Sequence, residues 1–245
     1  MHACCHAIER KNGTMINYDP KRLLISLHIP KTAGNSFEYV LKNSYGLGYF
    51  RHYYNHSKDR KPARIPWVNT LQKIVPLCIH GHFDPEEGGV NVFDYYPEAA
   101  QFITVVRDPL EMHLSLYFYM RKLFNEGALS WKGKPSTTFE YKDIDHWVEE
   151  RPFYMLRFFP FELNHNNYAD MLNDNFIHLV VAEHMESSME MLSKRLSRKL
   201  KKVPVINTTP RNEQPSEKSI QIFREKYPLE HKIYKFALDL NKLSD

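Results

Sequence analysis

Residues Leu23–Ser36 read LLISLHIPKTAGNS, and this stretch decides the expected fold. Its apolar first half predicts a buried strand that ends at a proline and a short turn of small residues. The next residues, Ser36–Lys42, carry apolar side chains at helical spacing. A strand that enters a helix through such a turn directs backbone N–H groups and the positive end of the helix dipole toward one point. We therefore expect an anion site there, with phosphate as its usual occupant.

The lysine of this turn does not follow the pattern of the common nucleotide triphosphatase loop. That motif is G-x-x-x-x-G-K-[ST], in which the lysine follows the second glycine. Here Lys31 precedes the only glycine of the turn, Gly34. Taken alone, the stretch is also compatible with a purely structural strand–turn–helix, so a second segment is needed to decide.

That second segment, Gln101–Tyr117, reads QFITVVRDPLEMHLSLY and again predicts a strand followed by a helix. Pro109 suits the first helical turn, and Asp108 is the expected N-cap. Arg107 at the strand end and Ser115 on the helix can together hold a second phosphate. The alternative is that Arg107 pairs with a neighbouring acid and that Ser115 bonds to its own helix.

Together the two segments resemble the pair of cofactor loops in sulfotransferases that use 3′-phosphoadenosine 5′-phosphosulfate. The carbohydrate branch that includes heparan sulfate 2-O-sulfotransferase is the most similar, because its members carry a comparable Pro-Lys-Thr-Gly/Ala-Gly-Thr-Ser turn. This chain departs from the family at Ala33, Asn35 and Met112, where glycine, threonine and arginine are common. A negative φ at Ala33 would make that departure tolerable. Further similar segments are Leu77–Phe83 with the His-Gly-His strand end, Phe176–His184, Val203–Thr209 and Tyr227–Ala237.

The resemblance implies a role for each residue of the two loops. Lys31 would neutralise the charge that develops on the bridging oxygen as the nucleotide leaves. Arg107 and Ser115 would hold the 3′-phosphate, with Arg211 as a further candidate. The 5′-phosphate would be held through backbone N–H groups and hydroxyls by Thr32, Ala33, Gly34, Asn35 and Ser36.

A histidine pair follows the strand that the sequence predicts near residue 80. An acceptor hydroxyl must lose its proton as it attacks the sulfur, and a neutral histidine suits this role near pH 7. His82 is the candidate general base, and His80 is expected to orient either His82 or the acceptor. The alternative for both is a structural histidine. No carboxylate cluster is apparent, and we expect no metal in the reaction.

The rhythm of strands and helices predicts one α/β domain with a mostly parallel central sheet, flanked by helices, of the sulfotransferase-like P-loop type. A flexible tail is expected over 1–20 and the catalytic domain over 21–245. The expected strands are 23–28, 77–81, 101–106 and 176–182. The expected helices are near 36–45, 109–124, 139–150, 185–199 and 219–242, the last interrupted at Pro228.

Several of the candidate residues follow directly after predicted strands. Because ligands bind beyond the carboxyl ends of the strands in such sheets, these residues are expected to meet at one edge. They are Lys31, His80, His82 and Arg107.

Composition fits a globular enzyme of this kind. The 245 residues are 42% hydrophobic and 25% charged, and the net charge of +4 suits an anionic cofactor without requiring nucleic acid. No apolar run is long enough for a transmembrane helix, and the N-terminus lacks the apolar core of a signal peptide. We expect a cytoplasmic enzyme if the chain is bacterial, or a Golgi-lumen catalytic domain if it is excised from a eukaryotic enzyme.

The acceptor is expected to carry a hydroxyl and to be a carbohydrate. Residues Tyr49–Arg64 interleave aromatic side chains with five Lys/Arg residues. Such a surface would stack on sugars and attract acidic groups, although a solvated connecting loop is the alternative. Residues 125–138 are expected to form a surface loop that borders the acceptor cleft. The basic run Arg195–Lys202 is interpreted as the solvated side of a helix rather than as a nucleic-acid site.

Two other functions remain open at this point. A nucleotide kinase or triphosphatase would need a metal-binding acidic site and a Gly-Lys-Ser/Thr loop, and the sequence shows neither. A non-catalytic protein could keep the nucleotide site and lack activity. The sequence does not indicate an oligomeric state.

Overall fold

The computed structural model of the protein describes residues 15–54, 60–84, 91–127, 139–203 and 211–243, and the statements below refer to these residues. Most of the tail predicted at 1–20 lies outside them. So do most of the loop predicted at 125–138 and the whole of Asn207–Thr209.

A five-stranded sheet forms the centre of the molecule, and every pair of neighbouring strands is parallel. Its order is β2-β3-β1-β4-β5. The strands are β1 (Leu24–Leu27), β2 (Tyr49–His52), β3 (Cys78–Gly81), β4 (Gln101–Val106) and β5 (Phe176–Val181). The predicted α/β class, parallel sheet and four predicted strands are thereby confirmed.

The edge strand β2 corrects one expectation. It lies in the stretch Tyr49–Arg64, which we interpreted as either an acceptor surface or a connecting loop. Its side chains are only partly buried, apart from His52. An edge strand of four residues with a charged residue in it carries little of the apolar signal that marks central strands, and this explains why the pattern did not predict it.

Helices cover both faces of the sheet. They are α1 (Gly34–Tyr45), α2 (Val68–Leu71), α3 (Val92–Tyr95), α4 (Pro109–Asn125), α5 (Ile144–Glu150), α6 (Tyr168–Asn175), α7 (Met185–Arg195), α8 (Glu217–Lys226) and α9 (Pro228–Asn241). The helix predicted at 139–150 begins only at Ile144, because the Asp143 carboxylate caps it by accepting from the His146 N–H at 2.8 Å. The break predicted at Pro228 is present between α8 and α9. The sequence did not predict α2, α3 or α6.

Two hydrophobic layers enclose the sheet, one on each face. On one face Ile25 and Leu27 belong to a large core that includes Ile233 of α9. On the other face Leu24 packs in a second core with Phe37 of α1. Because alternate residues of a strand point to opposite faces, the continuous apolar runs of the sequence supply both layers at once.

The strand order brings the two predicted loops next to each other. After β1 the chain moves to one side of the sheet to form β2 and β3, and it then crosses to the other side of β1 to form β4 and β5. The strands β3 and β4 therefore flank β1, and the turns that follow β1 and β4 are neighbours. A reversal of strand order of this kind leaves a crevice at the carboxyl edge, where ligands bind in open α/β sheets.

Buried histidines make the fold sensitive to acid. Burial lowers the pKa of His52, His113 and His178 to about 4 and that of His80 to about 3. An unfolded histidine titrates near pH 6.5, so between about pH 6.5 and pH 4 the unfolded state binds protons that the folded state does not. Their stabilising contribution is therefore complete above pH 6.5 and is lost as the pH falls toward 4.

We expect the free energy of unfolding to fall steeply between pH 7 and pH 5, by about 1–2 kcal/mol for each such histidine. His113→Phe is the matched variant, since the ring packs among Trp147, Phe153 and Phe223. The Trp147 carbonyl, which His113 contacts, still accepts from the Arg151 N–H at 3.1 Å. Urea unfolding at both pH values should show a smaller loss for His113→Phe than for the wild type. Equal losses would contradict the assignment.

Candidate functional site

A cavity of about 700 Å³ lies at the carboxyl edge of the sheet, next to the turn that follows β1. Part of its wall is the turn itself, and part is formed by the side of α4 that carries Ser115 and Tyr119, together with the segment after α5. Its lining residues used below are His28, Lys31, Ala33, Gly34, Asn35, Ser36, Tyr53, Tyr54, His82, Arg107, Ser115, Tyr119, Lys122, Arg151, Tyr154, Arg157 and Phe158. The cavity thus contains residues from both loops that the sequence singled out.

The turn after β1 has an unusual backbone. Lys31 and Ala33 both lie in the left-handed region, with φ of 66° and 63°. The negative φ that would make alanine tolerable at position 33 is therefore not present. Left-handed backbone costs roughly 1–2 kcal/mol for a residue with a Cβ, and strain of this kind is concentrated at functional sites. The family's frequent glycine at this position was the available signal.

This backbone leaves the N-terminus of α1 open toward the cavity. Ala33 precedes the helix and provides no side-chain cap. The first N–H groups of a helix have no acceptor within it, so those of Gly34 and Asn35 are available to an anion. The N-terminus of α4 differs, because Asp108 caps it by accepting from the Glu111 N–H at 2.9 Å. The expected Asp108 cap is therefore present.

Two hydroxyl-bearing residues of the turn have different positions. Thr32 is 1% exposed, and its hydroxyl donates to the Ile29 carbonyl at 2.8 Å. It stabilises the turn and is not among the described residues that line the cavity, so the expected contact of its hydroxyl with phosphate is not supported. Ser36 does line the cavity, although its N–H donates to the Ala33 carbonyl at 3.0 Å.

Lys31 is a half-buried cation in the cavity wall. Its Nζ lies 4.1 Å from the centre of the Tyr119 ring, a cation–π contact. Burial, and next the charge of Arg107, lower the pKa of Lys31 to about 8. A lysine that is poorly solvated and close to a second cation gains more than a surface lysine when an anion binds beside it.

Arg107 connects the two loops directly. Its Nη1 donates to the Lys31 carbonyl at 3.1 Å. Two carboxylates, Glu111 and Glu183, lie at 3.4 Å from the guanidinium. The guanidinium is therefore fixed beside the turn after β1, although Arg107 and Lys31 are 76 positions apart in the sequence.

Of the remaining candidates for the second phosphate, Ser115 lies at the cavity and Arg211 does not. Ser115 lines the cavity from a side of α4 other than the one that packs into the core. Arg211 does not line it; its Nη1 donates to the Glu111 carboxylate at 2.7 Å, and it reaches Arg107 only through that carboxylate. Met112 is 3% exposed and packs into the main core, so the departure from the family's arginine falls on the buried side of α4.

The two histidines of the His-Gly-His segment are placed differently. His82 lines the cavity. His80 is fully buried in β3, where its Nδ1 is hydrogen-bonded to the Ser26 hydroxyl at 2.8 Å. His80 is therefore removed from direct contact with an acceptor, and only its expected influence on His82 remains.

Several cavity residues were not selected from the sequence. His28 lies within Leu23–Ser36, but we assigned it no role from the sequence. Tyr119 lies one turn beyond Ser115, which would have been a usable signal. Arg151, Tyr154 and Arg157 belong to a segment that carries no motif, and only the tertiary structure brings them to the cavity.

The fold and the cavity define the molecule as an α/β protein with a cationic cleft at the carboxyl edge of a parallel sheet. No protein-family model matches the chain, and no curated protein matches it. Among solved structures it is similar to mouse sulfotransferase SULT7A1 complexed with PAP, at 14% identity over 88% of this chain and 67% of that chain, with a TM-score of 0.37. This superposition is too loose to assign any role to residues of this chain.

Two further observations concern the described residues alone. They contain no group of three or more His, Cys, Asp or Glu side chains arranged to hold a metal ion. None of their helices combines the length and the apolar character needed to cross a bilayer.

Proposed function

We propose that this protein is a sulfotransferase that moves a sulfuryl group from 3′-phosphoadenosine 5′-phosphosulfate to a hydroxyl of a carbohydrate acceptor. The observation that carries the proposal is the hydrogen bond from Arg107 to the Lys31 carbonyl, at the wall of one cavity. Two cationic turns in contact can hold the two phosphates of a single nucleotide.

The residues of the cavity fit such a nucleotide. The open N-terminus of α1, with Lys31 beside it, would take the 5′ end, and Arg107 with Ser115 would take the 3′-phosphate. When bound, the cofactor supplies the sulfuryl group. Lys31 would stabilise the negative charge that develops on the departing phosphate. Burial leaves the charge of Lys31 poorly compensated by solvent, which would strengthen this stabilisation.

His82 would remove the proton of the acceptor hydroxyl. It lies in the same cavity as Lys31, and its ring is stacked on a second histidine, His28. A positioned histidine base contributes roughly 10²–10⁴-fold to the rate of a reaction of this type. The protein's part in the chemistry is thus positioning, charge stabilisation and one proton transfer.

The acceptor would lie against the aromatic and cationic wall of the cavity. Tyr53 and Tyr54 come from the stretch that we expected to face the acceptor, and Tyr154 with Arg151 extends this wall. The Arg151 guanidinium stacks on Trp147 at 4.4 Å, which fixes its plane. Tyrosine rings and a fixed guanidinium suit a sugar that carries an acidic group.

Calorimetry with nucleotides tests the cofactor, and a sulfate-transfer assay tests the reaction. We expect 3′,5′-adenosine bisphosphate to bind at least about tenfold more tightly than ATP or AMP, because a charge-assisted pair with Arg107 contributes about 1.5–3 kcal/mol. Arg107→Ala should remove this preference. Equal binding of all three nucleotides would refute the cofactor. Preferred bisphosphate binding without transfer to glycans, phenols or lipid alcohols would indicate the non-catalytic alternative.

A further inference from the structure

His28 lies between the turn that follows β1, residues 30–35, here called the anion turn, and the two histidines of the His-Gly-His segment. Its ring is stacked on His82, with centroids 4.4 Å apart and planes inclined by 16°. The ring of His80 is also stacked on the ring of His28, with centroids 5.2 Å apart and planes inclined by 19°. Three imidazoles from two neighbouring strands therefore form one column.

Two further contacts fix the ring of His28. Its Nδ1 is hydrogen-bonded to the Tyr53 hydroxyl at 2.7 Å, and the Tyr53 ring also meets the His82 ring edge-on at 5.0 Å. Its opposite edge rests on the backbone of Gly34. A Cβ built on Gly34 would lie only 1.8 Å from the Nε2 of His28, so no other residue fits there without moving the ring.

The requirement for glycine at position 34 thus comes from His28, because the backbone of Gly34 is not in the left-handed region. On one side the ring of His28 touches Gly34, the first residue of α1, where the anion is expected. On the other side it is stacked on the ring of His82. A single flat side chain therefore contacts both the turn and His82.

We propose that His28 is a positioning residue that fixes the imidazole of His82 relative to the anion turn. The inference rests on the proposed function, since it assigns His82 the proton transfer. A neutral ring is needed for this role, because a second cation stacked on His82 would oppose its protonation. The titratable and charged groups that face His28 are His80, His82, Tyr53 and Arg51. Burial, followed by His82 and His80, lowers the pKa of His28 well below its ordinary value.

Substitutions of His28 can distinguish a positioning role from a direct chemical role. If stacking is the function, a flat ring without nitrogen should serve, whereas a missing ring should not. His28→Ala is expected to lower kcat by about 100-fold while leaving the affinity for 3′,5′-adenosine bisphosphate within about threefold. His28→Phe should retain kcat within about tenfold of the wild type. His113→Phe, which replaces a buried histidine outside the cavity, is the matched control and should retain full activity.

Gly34 supplies a second, independent arm. Gly34→Ala should lower kcat as His28→Ala does, since the added methyl group displaces the ring. In the His28→Ala background the same methyl group finds space, so the double variant should be no more than about threefold slower than His28→Ala alone. Fully additive losses would show that Gly34 acts without His28, and this outcome would overturn the coupling.

Histidine side-chain NMR tests the position of His82 without any turnover. We expect the nuclear Overhauser contacts between the rings of His82 and Phe158, whose centroids lie 6.1 Å apart, to weaken in His28→Ala and Gly34→Ala and to persist in His28→Phe. Contacts that are unchanged in His28→Ala would overturn the proposal. So would a His28→Phe variant with unchanged contacts but the activity loss of His28→Ala, because the nitrogens of His28 would then be required. A wild-type protein that transfers no sulfate would refute the proposed function, while the NMR result would still decide the positioning role.

Discussion

Lys31→Ala is expected to reduce sulfate transfer by about 10²–10³-fold and to weaken binding of 3′,5′-adenosine bisphosphate by about tenfold or more. Lys31 is the only residue of the anion turn with a charged side chain, and burial has already removed much of its hydration. Its charge is therefore available to the leaving phosphate at little further cost of desolvation. Loss of that charge affects both the bound nucleotide and the transition state.

Lys31→Ala is expected to remove the charge without changing the backbone of the turn. Alanine keeps a Cβ, so the left-handed backbone of position 31 is equally strained in the variant, and the carbonyl that accepts from Arg107 is retained. Lys122→Ala is the matched control. That lysine also lines the cavity, but it is 58% exposed and lies 3.8 Å from Glu126. Calorimetry and initial rates should separate the two lysines. A Lys31→Ala protein that binds nucleotide as tightly as Lys122→Ala would contradict the placement of the 5′ end.

His82→Ala should abolish turnover and leave nucleotide binding intact. We expect kcat to fall by about 10²–10⁴-fold, because a positioned base contributes in this range. The affinity for the bisphosphate should change by less than about threefold, since the acceptor proton is absent from the binary complex. This pattern is the opposite of the one expected for Lys31→Ala, which affects both quantities.

Two comparisons make the histidine result decisive. His165→Ala removes an exposed histidine that does not line the cavity and should behave as the wild type. Added imidazole should restore part of the activity of His82→Ala if only a base is missing. An undiminished rate in His82→Ala would end the assignment of His82 as the base, whatever the result for Lys31.

The sheet was largely predictable because of its burial. Strands covered on both faces are apolar along most of their length, and four such runs are visible in the sequence. The edge strand β2 and the helix α6 escaped prediction. In β2 only His52 is fully buried, and in α6 only Leu172 is, so the apolar signal of both elements is diluted by polar residues.

The residues of the candidate site that belong to sequence motifs could be predicted. Those that reach the site only through contacts between distant segments could not. Lys31 directly follows Pro30, and Arg107 lies two residues before Pro109; these prolines mark the strand ends, and the structure brings the two residues together. Alanine itself does not indicate the left-handed φ of Ala33, because a residue with a Cβ avoids that region; the only signal was the glycine that is frequent at this position in similar sequences. The burial of His80 was equally hidden, because residues two apart on a strand look equivalent until their surroundings are known.

The sequence alone determined the parallel α/β architecture and the two cationic turns, because hydrophobic patterning and strand-ending residues act locally along the chain. Only the tertiary structure decided which side chains share the cavity. The strand order put β1 between β3 and β4, and this placed the ring of His28 against Gly34 and His82. Contacts between segments distant in the chain depend on how the strands are ordered, and that order is a property of the whole folded core.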